Sequence, residues 1–399
     1  MNARETTMKK ILITGGSGFI GAEIVHQLAQ NGGWEITVLD AMKEQIHGAD
    51  WEKSYLYRKI KGKCRFIKGS VCDLSTVQKA IGDCEYILHL AAETGTGQSM
   101  YRMNLYNETN IMGTSNLLQA IFSSGKMGKI KKIILSSSRS VYGEGKYECP
   151  NCGVLYPAGR SKENMAAGDF GFHCPHCKEK LKPLATDEDS QINPTSLYAY
   201  TKHAQEMMLK TMCPALGIDY AIFRFQNVYG VGQSLKNPYT GVLSVFSALM
   251  LENKPVNIFE DGLESRDFIN VADIAQGVIA GIEEPGSNGK TINLGSGVNT
   301  SVLEIAIMLK KLYGSESELR ITGDFRIGDI AHNKADITKA QTILRFTPAV
   351  SLQDGLKAYC SWVRKQETDN GGYEKSLSEM EKAGMFVRKQ NDGLRTVRE

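Results

Sequence analysis

Short β-branched runs alternate with segments of helical periodicity from the start of the chain. Lys10–Ile13, Glu35–Leu39, Cys64–Ile67, Tyr86–Leu90 and Ile130–Leu135 are strand-length apolar runs, and Ile20–Leu28 has apolar positions at helical spacing. This alternation predicts an α/β fold, a doubly wound parallel sheet with helices on both faces. It stops at about Gly145 and resumes with a helix from about Ser196 and a strand at Tyr220–Phe223. A looser α+β half follows, with Asn257–Phe259, Ile292–Leu294 and helices near 300–312, 336–346 and 351–366. Past Glu367 the chain turns polar, which predicts a short helix at about Lys375–Ala383 and then a frayed tail. The expected organisation is a first domain from residues 8–144 and 184–235, with return segments from the C-terminal half. An insert occupies 145–183, a smaller α+β domain 236–367 and a tail 368–399.

Composition narrows the function classes. The 399 residues are 42% hydrophobic and 23% charged, with a net charge of +3, as in an ordinary globular enzyme. No basic stripe interleaves with aromatics, so nucleic acid is not an expected partner. The longest uncharged stretch, Asn237–Leu251, is too short to span a bilayer and reads as a buried helix. The apolar run after Met8 is too short for a secretory leader and ends in glycines. Five cysteines (Cys64, Cys72, Cys84, Cys213, Cys360) are scattered through the predicted elements, which suits reduced thiols in the cytoplasm.

Three motifs carry chemistry. Gly15-Gly-Ser-Gly18-Phe19-Ile20-Gly21 follows the first strand and opens the first helix. Gly15 permits the turn, Gly18 lets the backbone approach a pyrophosphate, and Gly21 allows close helix–strand packing, as in a Rossmann dinucleotide site. Asp40 ends the second strand, where a carboxylate accepts both ribose hydroxyls and repels a 2′-phosphate, favouring NAD over NADP. Tyr198 and Lys202 are four apart and share one helix face. With an ammonium and a cationic nicotinamide nearby, Tyr198 is a candidate general base and Lys202 a holder of the nicotinamide ribose. Ser138, at an upstream strand end, completes a hydride-transfer set.

Between those two segments lie Cys149-x-x-Cys152 and Cys174-x-x-Cys177, the spacing of a structural zinc ribbon. Four thiolates close a tetrahedron and leave no open position for catalysis. Disulfides are the alternative. His173 and His176 are possible competing ligands, and His332, near the expected substrate clamp, reads as a solvated surface side chain.

Thr14–Gly21, Ser136-Ser-Ser-Arg139-Ser-Val-Tyr-Gly143 and Tyr198-x-x-x-Lys202 resemble the extended short-chain dehydrogenase/reductases, in the nucleotide-sugar epimerase branch. The resemblance covers about residues 8–367 apart from the insert. It implies a cofactor cleft also lined by Val71, Leu90, Ala91, Ala92, Asn110, Ser136 and Phe225, with Val71 reaching adenine through its backbone although Ser70 replaces the usual aspartate. It implies a sugar-diphosphate site built from Ser138, Arg139, Asn227, Arg266 and Arg326, with Asn333 at the position that gates sugar size. It also implies a homodimer formed through the Tyr198 helix. Related dehydratases carry an Asp-Glu pair after the catalytic Ser/Thr and decarboxylases a glutamate; here Arg139-Ser140 stands there. Reductases use NADPH, which Asp40 disfavours. The reaction left is redox-neutral 4-epimerisation. Ser138–Pro150, the cysteine pairs and Arg224–Gly230 are most similar to the zinc-ribbon-bearing branch, which implies interconversion of dTDP-L-rhamnose and dTDP-6-deoxy-L-talose. UDP-hexose or UDP-N-acetylhexosamine 4-epimerisation is the alternative. A non-catalytic NAD-binding regulatory protein is a third reading, opposed by the intact Ser138, Tyr198 and Lys202.

Overall fold

Successive residues of a strand face opposite sides of its sheet, and here both sides are apolar. Ile11, Ile13, Ile134 and Phe223 enter one buried cluster, while Leu12, Ile133, Leu135 and Ile222 enter a second. Such strands are stable only when helices cover both faces. The computed structural model describes residues 8–125, 127–235, 241–366, 371–389 and 395–396. Its central parallel sheet contains β1 (Lys9–Thr14), β2 (Trp34–Asp40), β3 (Arg65–Lys68), β4 (Tyr86–His89), β5 (Lys132–Ser138), β6 (Asp219–Phe225) and β7 (Lys290–Leu294). Their order is β7-β6-β5-β4-β1-β2-β3. Consecutive strands β3 and β4 therefore lie on opposite sides of β1, and a crevice opens there beyond the strand ends. Helices Phe19–Asn31 and Val271–Glu283 contribute to the first cluster. Leu74–Ile81, Gly113–Ser123 and Leu197–Ala215 contribute to the second.

The C-terminal half adds a third core between helices Val242–Leu251, Val302–Tyr313 and Leu352–Val363 and the parallel strands Val256–Ile258 and Leu319–Ile321. Residues 237–240, the start of the expected uncharged helix, lie outside the described residues. The cysteine insert forms a small antiparallel sheet from Tyr147–Cys149, Gly153–Leu155 and Lys182–Pro183. Its core (Tyr147, Cys149, Phe172, Cys174, Leu181) packs on Ala331 of the C-terminal half.

Of the segment expected to fray after a short helix, residues 384–389 are docked, while 390–394 and 397–399 lie outside the described residues. A helix spans Gly371–Lys382, and Phe386–Val387 pairs antiparallel with Phe325–Arg326. Leu377, Met380 and Phe386 bury together with Phe259 against them. No helix among the described residues is long and apolar enough to cross a membrane.

Candidate active site

The crevice holds two clefts. The larger, of 380 Å³, is lined by Gly15, Gly18, Phe19, Ile20, Gly21, Asp40, Val71, Leu90, Ala91, Ala92, Ser136, Ser138, Tyr198, Lys202 and Phe225. The second, of 260 Å³, is lined by Arg139, Asn227, Arg266 and Arg326. They adjoin at Ser138–Arg139 and Gln226–Asn227, where one residue of each pair lines either cleft.

The glycine turn fits a dinucleotide. Gly15 has φ +71°, and a Cβ there would lie 2.7 Å from the Ala91 amide nitrogen. A Cβ on Gly21 would meet the Gly15 carbonyl at 2.4 Å, so the helix can begin this close only with glycine. At Gly18 a Cβ would meet only the Gly15 carbonyl, at 3.2 Å, and the other side is open to the cleft. Gly18 caps the helix without a side-chain bond, leaving backbone N–H groups for an anion. The Asp40 carboxylate is fixed at the cleft rim by the amides of Ser17 and Met42, each at 2.9 Å. Val71 lines the wall, with its carbonyl taken by Asn116 at 3.0 Å.

The reacting end is set by the end of β5. Ser136, Ser137 and Ser138 all line the cleft, and the Ser137 hydroxyl donates to the buried Glu206. Ser138 also caps a short turn, its Oγ accepting from the Ser140 amide at 3.2 Å. Ser196 caps the Leu197–Ala215 helix, so Tyr198 stands in its first turn and Lys202 one turn on. The Lys202 ammonium donates to the Ser136 carbonyl at 2.9 Å. Burial lowers its pKa to about 7, against the pull of Glu206. Burial raises the Tyr198 phenol; a hydrogen bond with Ser138 and the Arg139 charge oppose it without overcoming it. Without a ligand the chain therefore keeps this phenol protonated.

Two sequence-derived residues sit behind the clefts. Asn110, expected to touch the cofactor, is fully buried on a wide π turn (Asn107–Met112) and does not line the cleft. Its side chain accepts from the Glu93 amide at 2.7 Å and donates to Thr201 Oγ1 at 2.9 Å. It positions the β4 loop against the Tyr198 helix. Asn333 is also buried and outside both linings, with neither amide atom hydrogen-bonded. His332 is half-buried behind the clamp, its Nδ1 2.7 Å from Ser265 Oγ, rather than a surface group.

Arg139, Asn227 and Arg326 each present a buried polar atom with no partner. Unpaired buried donors and acceptors converging on one cleft are explained by a polar ligand. Arg266 is held by the Ser265 and Ala331 carbonyls, both at 3.0 Å, and by Asp329 at 3.1 Å. Arg326 lies over the Phe259 ring at 5.1 Å. Tyr373, Met380 and Met385, from the supposed tail, also line this cleft.

Several groups to which the sequence assigned no role position the site. Arg224 forks onto Glu206 at 2.9 and 2.7 Å, tying β6 to the Tyr198 helix. His89 Nδ1 meets Thr14 Oγ1 at 2.7 Å and its Nε2 meets Thr114 Oγ1 at 2.9 Å. Thr114 donates its proton to the Asn110 carbonyl, so Nε2–H donates and Nδ1 accepts from Thr14. That bonding suits only a neutral ring, and burial pushes the His89 pKa down to about 3. The unfolded chain takes up this proton near pH 6.5, so between 6.5 and 3 it holds more protons than the folded one. Stability contributed by the neutral ring is therefore lost on acidification, by about 1.4 kcal/mol per pH unit. Urea unfolding of wild type and His89→Gln should show their stability difference shrinking by about 2 kcal/mol from pH 6.5 to 5. A difference independent of pH would contradict a buried neutral ring.

The four cysteine sulfurs lie within 4.8 Å of one another, converging on one point as pairwise disulfides have no need to do. Amide N–H groups of Cys177 and His176 point at the Cys174 sulfur. His173 is turned away, with its nitrogens on Asp169 at 2.9 Å and the Lys178 carbonyl at 3.2 Å. Among the described residues the cluster consists of these four side chains and fits one metal ion.

The fold and these clefts define a dinucleotide-dependent enzyme of the Rossmann type. The profile of the NAD dependent epimerase/dehydratase family matches residues 11–158 and 175–295. The dTDP-L-rhamnose 4-epimerase of Burkholderia thailandensis is 34% identical over 368 residues, 92% of this chain and 98% of that one. The putative UDP-glucose 4-epimerase of Methanocaldococcus jannaschii is 30% identical over 356 residues, 89% and 98% of the two chains. The structure of UDP-glucuronic acid 4-epimerase from Bacillus cereus, in complex with UDP-glucuronic acid and NAD, superposes with TM-score 0.73 at 28% identity, covering 89% and 99%. The chain belongs to the NAD dependent epimerase/dehydratase family.

Proposed function

We propose that the protein is an NAD-dependent nucleotide-sugar 4-epimerase acting on dTDP-L-rhamnose and dTDP-6-deoxy-L-talose, with one structural zinc on Cys149, Cys152, Cys174 and Cys177. The observation that carries the epimerase reading is the junction of the two clefts, where Ser138 and Tyr198 face one side and Arg139 the other. The 34% identity to a dTDP-L-rhamnose 4-epimerase over nearly its whole length, together with the cysteine cluster, supports the substrate. Asp40 and the Gly15–Gly21 turn would hold the dinucleotide. NAD held there would supply the hydride acceptor and donor for C4 of the sugar.

The chain's own part is proton handling and orientation. Tyr198 accepts the O4 proton and later gives it back, and Ser138 hydrogen-bonds O4. Burial keeps the Tyr198 phenol protonated in the ligand-free chain, so its ionisation requires positive charge arriving with the oxidised cofactor. Lys202 fixes the ribose side from its seat on the Ser136 carbonyl. Arg266 and Arg326 clamp the diphosphate, since their forks match phosphate oxygens in pairs, while the 4-keto sugar turns over beneath them. In sequence, Arg139-Ser140 follows Ser138, where a dehydratase would carry the acids for C5 deprotonation. Exposed Tyr200, Met207 and Met212 on the Tyr198 helix, with Met112 and Phe122 in the helical segment packed beside it, supply an apolar face for a homodimer.

The test is incubation of the purified protein with dTDP-, UDP- and GDP-sugars, read by product stereochemistry, alongside metal analysis. C4 inversion of the dTDP-6-deoxy-hexose without net NADH release, on a protein carrying one zinc per chain, is expected. Inversion of UDP-hexoses alone would move the assignment to the UDP-sugar alternative. Steady NADH release would refute epimerisation.

A further inference from the structure

The cysteine insert sends one charged side chain into the body of the enzyme. Arg160 lies between the two cysteine pairs, and its side chain is only 2% exposed. It pairs with Glu260, whose side chain is 1% exposed, and its second arm donates to the Asp329 carbonyl at 2.9 Å. Its Nε is 4.0 Å from Glu144, a carboxylate that accepts from the Ala331 amide at 2.9 Å. Asp329 and Ala331 are two of the groups that hold Arg266, through the Asp329 carboxylate and the Ala331 carbonyl. Ala331 also belongs to the insert's buried cluster with Cys149 and Cys174, so the insert reaches the clamp along two routes.

We propose that Arg160 is a positioning residue for the diphosphate clamp, freeing Arg266 for the substrate by neutralising and tethering the carboxylates beneath it. The proposal rests on the reading of Arg266 as a diphosphate ligand. Glu144, Glu260 and Glu264 form a largely buried acidic patch under an anion site, with the half-exposed Asp329 at its edge, and carboxylates there repel an incoming diphosphate unless paired. Arg266 already contacts two of them, Glu264 at 3.5 Å and Asp329 at 3.1 Å. Without Arg160 the patch keeps one fewer cation, and Arg266 is drawn down into it. The Asp329 loop also loses its tether. Both effects weaken diphosphate binding and leave the NAD cleft, to which Arg160 contributes no lining, unchanged. The insert then sets sugar-nucleotide affinity, while the hydride chemistry belongs to the surrounding fold.

The test compares full-length wild type, Arg160→Met and Arg160→Lys, titrating dTDP and UDP calorimetrically and measuring KM, kcat, bound NAD and zinc. Arg160→Met should weaken nucleoside diphosphate binding and raise the sugar-nucleotide KM by about tenfold or more, the loss of charged hydrogen bonds. Its kcat, NAD and zinc contents should match wild type. Arg160→Lys keeps the charge and loses the fork, so it should recover part of the affinity; it carries the comparison by itself if the methionine variant does not fold. Unchanged diphosphate binding in the variants would overturn the proposal, as would parallel loss of NAD or zinc, which marks a general structural role. A wild type that binds neither dTDP nor UDP would overturn the diphosphate reading of the clamp itself. Normal wild-type binding with indifferent variants overturns only the role of Arg160.

Discussion

Tyr198→Phe should lower kcat for C4 inversion by about 10²- to 10⁴-fold, the range supplied by a positioned acid–base group, while KM and bound NAD stay near wild type. In the proposed reaction the phenol is the proton acceptor for O4: it shares a hydrogen bond with Ser138 and feels the Arg139 charge. Phenylalanine keeps the ring, which packs edge-on against Tyr106 with centroids 6.4 Å apart. Tyr106 itself is anchored to the Thr94 carbonyl at 2.6 Å, so the wall should not move. Only the hydroxyl is removed. Measuring product by NMR under saturating substrate, and cofactor by its release on denaturation, separates chemistry from binding. A variant retaining more than about a tenth of wild-type kcat would remove Tyr198 from the proton path. A catalytically silent protein would instead show no C4 inversion in either wild type or variant.

Much of the fold was legible because its strands are nearly uniformly apolar and their periods differ sharply from those of the helices between them. Leu12 and Ile13 show how little else was needed: adjacent residues, both fully buried, on opposite faces. The motif residues were legible for a related reason. Gly15, Asp40, Ser138 and Tyr198 stand at strand ends or helix starts, which the periodicity locates directly. What escaped depends on long-range placement. Arg160 is a single cation in a polar stretch, and nothing local distinguishes it from a solvated one. Asn110 was assigned to the cofactor, but a π turn rotates it onto Glu93 and Thr201. The C-terminal helix itself was legible at about Lys375–Ala383, but its docking was not: Tyr373, Leu377 and Met380 recur at helical spacing, and the polar residues around them give no sign that this stripe is covered.

Glu206 left a signal too, one turn beyond Lys202 on the same helix face, and its partner Arg224 carries the other large prediction. Arg224→Met should destabilise the protein by about 3–5 kcal/mol, because it strands a buried carboxylate. The two side chains are 2% and 0% exposed. Arg224 gives both arms of its fork to Glu206, reaches the Glu188 carbonyl at 3.2 Å and lies over the Tyr142 ring at 4.7 Å. With the arginine present, the Glu206 pKa falls to about 2 against the cost of burial; the other hydrogen-bonding groups are His203 and Ser137. Those two and the Lys210 ammonium, 3.7 Å from the carboxylate, cannot replace a bidentate guanidinium. The pair also joins β5, β6 and the Tyr198 helix, the three elements that set the separation of Ser138 from Tyr198. A double replacement, Arg224→Met with Glu206→Met, should therefore recover much of the stability, since no charge is left unpaired. Denaturant unfolding of the single and double variants measures this coupling directly. Loss below about 1 kcal/mol in the single variant would mean that water reaches Glu206 and that the helix is held by its apolar face alone.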